Sequence, residues 1–263
     1  MGRFHNSKPR ELAPCGIVCL DFAPPDSIIH RIVLTDPQLA TPPQRRRLAI
    51  SIVLAAFSIA FVLALFLDAP LSTWAHETGL AGWLKYHSYV ADVIRFPGNF
   101  YFTIVICAVI LAAAWKAGIR RGPRLWEKPA IVFVAGILSS LNALLKIFVG
   151  RIRPYHGVPP FELHPFRFGL VSAEASYSFP SGDATLAFAM AVSLSMVLPR
   201  FRPLWWTLAV IVGLERIAAN AHYPSDVVAG AALGTAVAVA AKKIVGLFTK
   251  NDANPPQEIM IQS

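Results

Sequence analysis

The sequence predicts an all-α integral membrane protein, a bundle of six helices that each cross the bilayer. Two observations carry this prediction. The 263 residues are 55% hydrophobic and only 15% charged, with a mean hydropathy of +0.53, whereas a soluble domain carries about 25% charged residues. Apolar runs also recur at the length of ~20 residues that a helix needs to cross the hydrocarbon core. They lie at about 48–67, 99–117, 129–149, 181–199, 204–221 and 224–246.

Prolines and glycines indicate where these helices end and where two of them pack closely. A proline inside a helix removes a backbone hydrogen bond, so prolines are typical of helix ends. Pro70 predicts an end just after the first run. In the last run, Gly230 and Gly234 form a Gly-x-x-x-Gly step, which favours close helix packing. Further prolines near the ends of the runs are Pro97, Pro123, Pro154, Pro180, Pro203 and Pro224.

The segments outside the runs predict the domain organisation. Residues 1–44 are rich in proline and basic residues and lack a long apolar run, so we expect a flexible cytoplasmic tail. A six-helix membrane domain follows over 45–247, and 248–263 form a short cytoplasmic tail. The segment 68–98 carries several tryptophans and tyrosines. It fits either an interfacial helix lying on the bilayer or a loop that caps the bundle.

Basic residues orient the bundle. The first run follows Arg45, Arg46 and Arg47, and every second loop after it is basic. Cytoplasmic loops carry the excess of Lys and Arg, so both termini are predicted to be cytoplasmic. The ends of the third and fifth runs and the starts of the fourth and sixth then share the outer face. The net charge of +9 is explained by these loops, and we expect no nucleic-acid partner.

Three polar clusters fall at this outer face. Ionisable groups beside membrane-length runs are costly and usually functional. The clusters are Lys146 with Arg153-Pro154, then Pro180-Ser181-Gly182-Asp183, then Arg216 with His222 and Asp226.

The residue types in these clusters suit phosphate chemistry. A helix that begins after Ser181 and Gly182 presents unpaired amides to an anion, although the same string also fits an ordinary N-cap. Arginine holds phosphate oxygens in a fixed fork, and lysine adds a point charge. A carboxylate bonded to one imidazole nitrogen leaves the other nitrogen free to attack. Asp226 and His222 can form such a pair. The nearby Arg151 and Arg167 fit side chains that reach lipid headgroups.

The order and spacing of the clusters resemble the signatures of the type 2 phosphatidic-acid phosphatase superfamily, which also includes vanadium haloperoxidases. Lys146, six residues, then Arg153-Pro154 resembles the first signature. Pro180 to Asp183 resembles the second, in which His is usual at position 183. Arg216, five residues, His222, three residues, then Asp226 resembles the third, which usually has Ser at the position of Glu215.

The resemblance implies a lipid phosphatase that needs no metal or other cofactor. His222 would be the nucleophile that forms a phosphohistidine, Asp226 would orient it, and Asp183 stands at the position of the leaving-group acid. The phosphate-binding groups would be Lys146, Arg153, Ser181, Gly182 and Arg216. The expected substrate is an isoprenyl diphosphate, a phosphorylated lipid A or a phosphatidyl phosphate in the bilayer. The resemblance and the small size indicate a bacterial inner membrane protein whose site faces the periplasm.

Several alternatives remain open at this point. An Asp at a helix N-terminus ionises easily and then cannot donate a proton. Asp183 can act through water, His156 or His164 can supply the proton, or the leaving group can be one that needs little help. The chain can also be a phosphotransferase that passes the phosphoryl group to another lipid, or a lipid-phosphate binder without turnover.

Overall fold

The computed structural model describes residues 42–118, 123–156, 162–165 and 177–253. Outside these described residues lie 1–41 of the predicted 1–44 tail, Arg167 and residues 254–263. Residues 42–44 already belong to the first helix. The chain divides into two compact units, 1–53 and 54–263, and the site described below belongs to the second. The α-helices are α1 (Pro42–Glu77), α2 (Leu80–Tyr86), α3 (Ser88–Arg95), α4 (Phe100–Lys116), α5 (Pro123–Ser140), α6 (Asn142–Val149), α7 (Gly182–Val197), α8 (Arg202–Ala218) and α9 (Pro224–Ala253). Short 3-10 helices cover Phe96–Gly98, Pro154–His156 and Pro199–Phe201.

The all-α membrane architecture is confirmed, and the chain is a multi-pass membrane protein. Among the described residues, three helices are long and apolar enough to cross a bilayer, over Gln44–Glu77, Leu125–Val149 and Pro224–Thr249. A fourth candidate is the pair Ser88–Gly98 and Phe100–Lys116, which is bent by 55°. Because α7 and α8 have only 16 and 17 residues, they are shorter than the ~20 residues of a full span. The count of six spans stays a prediction.

One local prediction was wrong. Helix α1 runs through Pro70 to Glu77 instead of ending near 67. Asp68, two residues before the proline, makes buried contacts with Arg151 and Ser225, so tertiary structure holds the helix there despite the proline. The predicted run 129–149 lies within the candidate span Leu125–Val149, in which the turn residue Leu141 separates α5 from α6.

The segment 68–98 is mostly helical, because it contains the end of α1 together with α2 and α3. Helix α3 is amphipathic: its apolar Ala91 is buried, whereas Asp92 is exposed. A short amphipathic helix suits an interface between apolar and aqueous surroundings. The helical part of the first interpretation is therefore confirmed, whereas the position of these helices on the bilayer stays a prediction.

Helix α7 lies at the centre of the bundle and contacts α5, α8 and α9. Its side chains are buried almost all round, among them Met190 and Leu194, as expected for a helix that is apolar on every face. The glycine step of α9 allows a close approach. A Cβ atom on Gly230 would lie 2.7 Å from the carbonyl oxygen of Ser181, and one on Gly234 would lie 2.2 Å from that of Thr185. The predicted close packing is confirmed, and it fixes the first turn of α7 beside α9.

Candidate active site

The three polar clusters of the sequence meet where the ends of α6 and α8 approach the starts of α7 and α9. Backbone hydrogen bonds join them. The Ser181 amide donates to the carbonyl oxygen of Asp226 at 3.0 Å, which ties the second cluster to the third. The Ser178 amide donates to the carbonyl oxygen of Arg151 at 2.7 Å, which ties the segment before α7 to the loop of the first cluster.

His222 and Asp226 lie side by side in the interior. His222 is 3% exposed and Asp226 is 0% exposed. The Nδ1 atom of His222 is 3.7 Å from Asp226 Oδ2, which is an ion-pair distance and longer than a hydrogen bond. The same Oδ2 accepts a hydrogen bond of 2.8 Å from the Tyr223 amide. Asp226 is therefore held in place by the backbone and faces one nitrogen of the imidazole.

The surroundings keep His222 neutral. Burial lowers the pKa of His222 below its ordinary value, and the positive charges of Arg153 and Lys146 lower it further. Asp226 raises the pKa through its closeness to the ring and its negative charge, but it does not overcome burial. A neutral imidazole has a nitrogen lone pair, so this environment favours the form that can attack an electrophile.

A buried arginine that the sequence analysis misread supports this pair. Arg151 Nη1 donates to Asp226 Oδ1 at 2.6 Å and to Ser225 Oγ at 2.7 Å, and its Nη2 donates to Asp68 Oδ2 at 2.7 Å. The guanidinium group also lies 4.1 Å from the centre of the Tyr223 ring. Arg151 is 4% exposed, so its interpretation as a side chain reaching lipid headgroups is wrong.

Asp68 is the second residue that the sequence analysis did not assign. Its Oδ1 accepts from the Ser225 amide at 2.9 Å, and its Oδ2 accepts from Ser225 Oγ at 2.6 Å. The signal was present in the sequence, because a carboxylate next to a membrane-length apolar run is costly unless it is paired. What the sequence lacks is the identity of the partner, since Arg151 is 83 residues away.

Arg216 is engaged by two carboxylates. Its Nε and Nη2 each donate to Glu215 at 2.5 Å, and its Nη1 donates to Asp183 Oδ2 at 3.2 Å. Arg216 and Glu215 are both 5% exposed, whereas the Asp183 side chain is 37% exposed. Glu215 therefore pairs with the adjacent arginine. These contacts use three of the five N–H donors of Arg216, so a phosphate can bind a further N–H of this arginine or compete with Asp183 at Nη1.

Ser181 and Gly182 begin α7 as a capped helix. Ser181 is 0% exposed, and its Oγ accepts from the Ala184 amide at 3.4 Å. This agrees with the N-cap alternative. A Cβ atom on Gly182 would lie 2.8 Å from Asn142 Nδ2, so a larger residue would displace the asparagine. The roles of Ser181 and Gly182 in binding phosphate stay predictions.

The remaining predicted groups differ in exposure. Lys146 lies in α6 and is 6% exposed, whereas Arg153 is half-buried. Arg153 Nε is buried without a hydrogen-bond partner among the described residues. Of the two histidines considered as acids, His164 pairs with Glu162 through its Nε2 at 2.9 Å, and His156 is exposed.

A cavity of about 620 Å³ opens beside these groups, which is within the size range of small-molecule sites. Arg153, Glu215 and Arg216 line it. Further lining residues come from the end of α1 and from α2 and α3. Ala221 reaches the cavity wall, and His222 follows it directly in the chain. The other lining residues are His76, Ala81, Gly82, Leu84, Lys85, Ser88, Ala91, Arg95, Tyr155 and Ala219.

Within the part of the chain that the structure describes, no group of three or more His, Cys, Asp or Glu side chains is arranged to hold a metal ion. The groups that converge on the site are three cationic side chains, a buried imidazole and carboxylates. This set can bind an anion, attack it with a neutral nitrogen and balance the developing charge. The absence of a metal requirement stays a prediction.

Comparison with known proteins adds independent information. A family model described as the PAP2 superfamily matches residues 128–250. A lipid A 1-phosphatase of Rhizobium etli is 38% identical over 109 residues, which cover 40% of this chain and 45% of the relative. An undecaprenyl-diphosphatase BcrC of Bacillus subtilis is 31% identical over 147 residues, which cover 55% of this chain and 69% of the relative. The chain thus spans less than half the length of the Rhizobium relative.

A solved structure is also similar. It is the crystal structure of a transmembrane PAP2 type phosphatidylglycerolphosphate phosphatase from Bacillus subtilis. The sequence identity is 21% and the TM-score is 0.43, over 73% of this chain and 96% of the crystallised chain.

Proposed function

Because the chain belongs to the PAP2 superfamily, we propose that it removes a phosphate group from a membrane lipid phosphate or diphosphate. The observation that carries this proposal is the buried, neutral His222 beside Asp226, with cationic groups around it. The relatives named as phosphatases of lipid A and of undecaprenyl diphosphate support a lipid substrate.

The proposed reaction has two steps. In the first, the lone pair on His222 Nε2 forms a bond to phosphorus while the bond from phosphorus to the leaving oxygen breaks, and that oxygen keeps the electron pair. In the second, water attacks the phosphohistidine, the nitrogen–phosphorus bond breaks and inorganic phosphate leaves. Asp226 faces Nδ1 and stabilises the positive charge that the ring acquires.

Charge stabilisation in both steps would come from side chains. Lys146, Arg153 and Arg216 supply positive charge, and the first amides of α7, beginning at Gly182, supply unpaired donors. These donors are in place before the substrate binds, so they are stabilising without reorganisation during the reaction. No proton transfer from a metal-bound water is needed in this scheme.

We further propose that this membrane protein lies in a bacterial inner membrane with both termini in the cytoplasm and the site facing the periplasm. The three arginines at 45–47 and the basic ends of later loops support this orientation. The catalytic domain is proposed to extend over 45–247, although α9 itself continues to Ala253.

A direct test measures phosphate release by the purified protein in detergent from lipid A phosphate, an isoprenyl diphosphate and a phosphatidyl phosphate, with a chelator present. We expect release from at least one lipid, and His222→Ala should abolish it while the protein still purifies as a folded species. Release by His222→Ala at the wild-type rate would reject the phosphohistidine route. Loss of all release in chelator, restored by a divalent ion, would reject the metal-free reaction.

A second candidate function is lipid-phosphate binding without turnover. It is favoured by the Arg216 guanidinium, which is already engaged by Glu215 and Asp183. Under this alternative, the wild-type protein binds the same lipids, but no phosphate is released from any of them over long incubation.

A further inference from the structure

Two basic side chains outside the polar clusters also line the cavity. Lys85 is in the last turn of α2 and Arg95 is in the last turn of α3. Both line the same cavity as Arg153 and Arg216. Among the described lining residues, these four cations are accompanied by one carboxylate, Glu215. The phosphate on His222 is served by the cations of the polar clusters, so Lys85 and Arg95 are available for a second anionic group in the same cavity.

We infer that Lys85 and Arg95 bind the departing phosphate of a lipid diphosphate, and that the protein therefore prefers diphosphates to phosphomonoesters. This inference rests on the proposed function and specifies its substrate class. Its first support is Asp183, which stands at the position of the leaving-group acid. Asp183 Oδ2 accepts a hydrogen bond from Arg216 Nη1 at 3.2 Å, so this carboxylate is already engaged as an acceptor by a cation.

The two substrate classes differ in what the leaving group needs. A phosphomonoester of an alcohol expels an alkoxide, which requires a proton in the transition state. A lipid diphosphate expels a lipid phosphate, which is a stable anion and requires only positive charge nearby. The cavity carries the positive charges of Lys85 and Arg95, and the Asp183 carboxylate is paired with Arg216. This combination matches the diphosphate.

The second support is the availability of the two cations. The Lys85 side chain is exposed and makes no ion pair with another described residue. The Arg95 side chain is 33% exposed and pairs with Asp92, which is itself 65% exposed. Such an exposed pair contributes little stability, so an entering phosphate can replace Asp92 at low cost. Arg95 Nε also donates to the Ala91 carbonyl oxygen at 3.3 Å, which holds the stem of the arginine at the cavity.

The inferred step transfers the terminal phosphate of the lipid diphosphate to His222. Nε2 of His222 bonds to the terminal phosphorus, and the bond between that phosphorus and the bridging oxygen breaks. The electron pair stays on the bridging oxygen, which becomes a terminal oxygen of the lipid monophosphate. Lys85 and Arg95 neutralise the charge that appears there. Water then hydrolyses the phosphohistidine, and the lipid monophosphate leaves without having received a proton from Asp183.

The test compares an isoprenyl diphosphate with the isoprenyl monophosphate of the same chain, using the full-length protein in detergent. The wild-type protein should have a kcat/KM on the diphosphate at least about tenfold higher, since Lys85 and Arg95 would make charge-assisted hydrogen bonds to the departing phosphate, and the monophosphate has no departing phosphate. In the double variant Lys85→Gln/Arg95→Gln, the ratio of the two kcat/KM values should fall by about tenfold. Lys116→Gln is the matched control, because Lys116 is an exposed lysine at the end of α4 that does not line the cavity.

The outcomes separate the inference from the proposed function. Equal wild-type rates on the two lipids, or a double variant that slows both lipids to the same extent, would overturn the inference and leave the phosphatase proposal standing. A wild-type protein that releases phosphate from neither lipid nor from the wider lipid panel would overturn both. The wild-type preference alone tests the inference if the double variant does not fold.

Discussion

Arg151 and Arg153 are two residues apart in one loop, yet their guanidinium groups have different environments. Arg151 is 4% exposed and donates to Asp68, Ser225 and Asp226 at 2.6–2.7 Å. Arg153 is half-buried, lines the cavity, and has a buried Nε without a hydrogen-bond partner among the described residues. One positive charge is satisfied inside the protein, and the other faces the space where a substrate would bind.

This difference distinguishes an arginine that holds the structure together from one that is available to bind a substrate. A buried charge with complete partners holds neighbouring elements in register, and its removal leaves other buried charges unpaired. A buried donor without a partner carries a desolvation cost that a bound anion can relieve. Arg151 therefore positions Asp226 beside His222, and Arg153 is the better candidate for contact with phosphate. Substitutions at the two positions should affect different measurements.

The largest effect is expected for Arg151→Ala. The substitution leaves the buried carboxylates of Asp68 and Asp226 without their cation, and breaking a buried pair in this way typically costs about 3–5 kcal/mol. The thermal unfolding temperature in detergent should fall sharply, and phosphate release should fall with it because Asp226 is no longer held. Melting at the wild-type temperature would contradict a structural role for Arg151. Arg153→Ala is the matched control for the melting experiment.

A smaller effect, confined to turnover, is expected for Arg153→Ala. Removing one preorganised donor to a transition-state anion costs about 10²–10³ in rate. The unfolding temperature should stay close to that of the wild-type protein, since the Arg153 side chain makes no ion pair with another described residue. The measurements are kcat/KM for lipid phosphate release and thermal melting on the same preparation. A variant that unfolds early with near-normal specific activity would reverse the assignment of the two arginines.

The same contrast shows how far sequence reasoning reaches. The family, the helical class and the three clusters were accessible, because each cluster is a short pattern of reactive residue types with regular spacing. Arg153 belongs to such a pattern. The contact between Arg151 and Asp68 joins positions 83 residues apart, and no local pattern reports a pairing of that kind.

Helix boundaries failed for a related reason. Pro70 is a sound local signal for a helix end, but α1 continues past it to Glu77. The buried contacts of Asp68 with Ser225 and Arg151 fix this part of the helix. Local propensity was outweighed by tertiary contacts that the sequence does not display. The pairing of Glu215 with Arg216 likewise depends on the direction of the two side chains, which the spacing of residues in the sequence does not show.

The pH dependence of turnover should reveal the electrostatic interaction between Arg153 and His222. Burial and the charge of Arg153 lower the pKa of His222, and only the neutral ring attacks. The acid limb of kcat/KM should therefore lie below pH ~6.5, the ordinary value for histidine. Removing the Arg153 cation removes one cause that disfavours the imidazolium, so the acid limb of Arg153→Gln should move to higher pH. An acid limb in the variant that is unchanged or lower would contradict this interaction.

The smallest effect is expected for Asp183→Asn. Asp183 contributes one exposed carboxylate to Arg216 at 3.2 Å, and Ser181 caps α7, so the helix should lose only the ~0.3–1 kcal/mol of a charge at its N-terminus. If the leaving group is a phosphate, no proton from position 183 is required, and the rate on an isoprenyl diphosphate should change little. KM should fall, because the substitution removes the negative charge that competes with the substrate phosphate for Arg216. A general acid contributes about 10²–10⁴ in rate. A loss of that size on the diphosphate would therefore show that Asp183 donates the proton after all, and that Arg216 releases it when substrate binds.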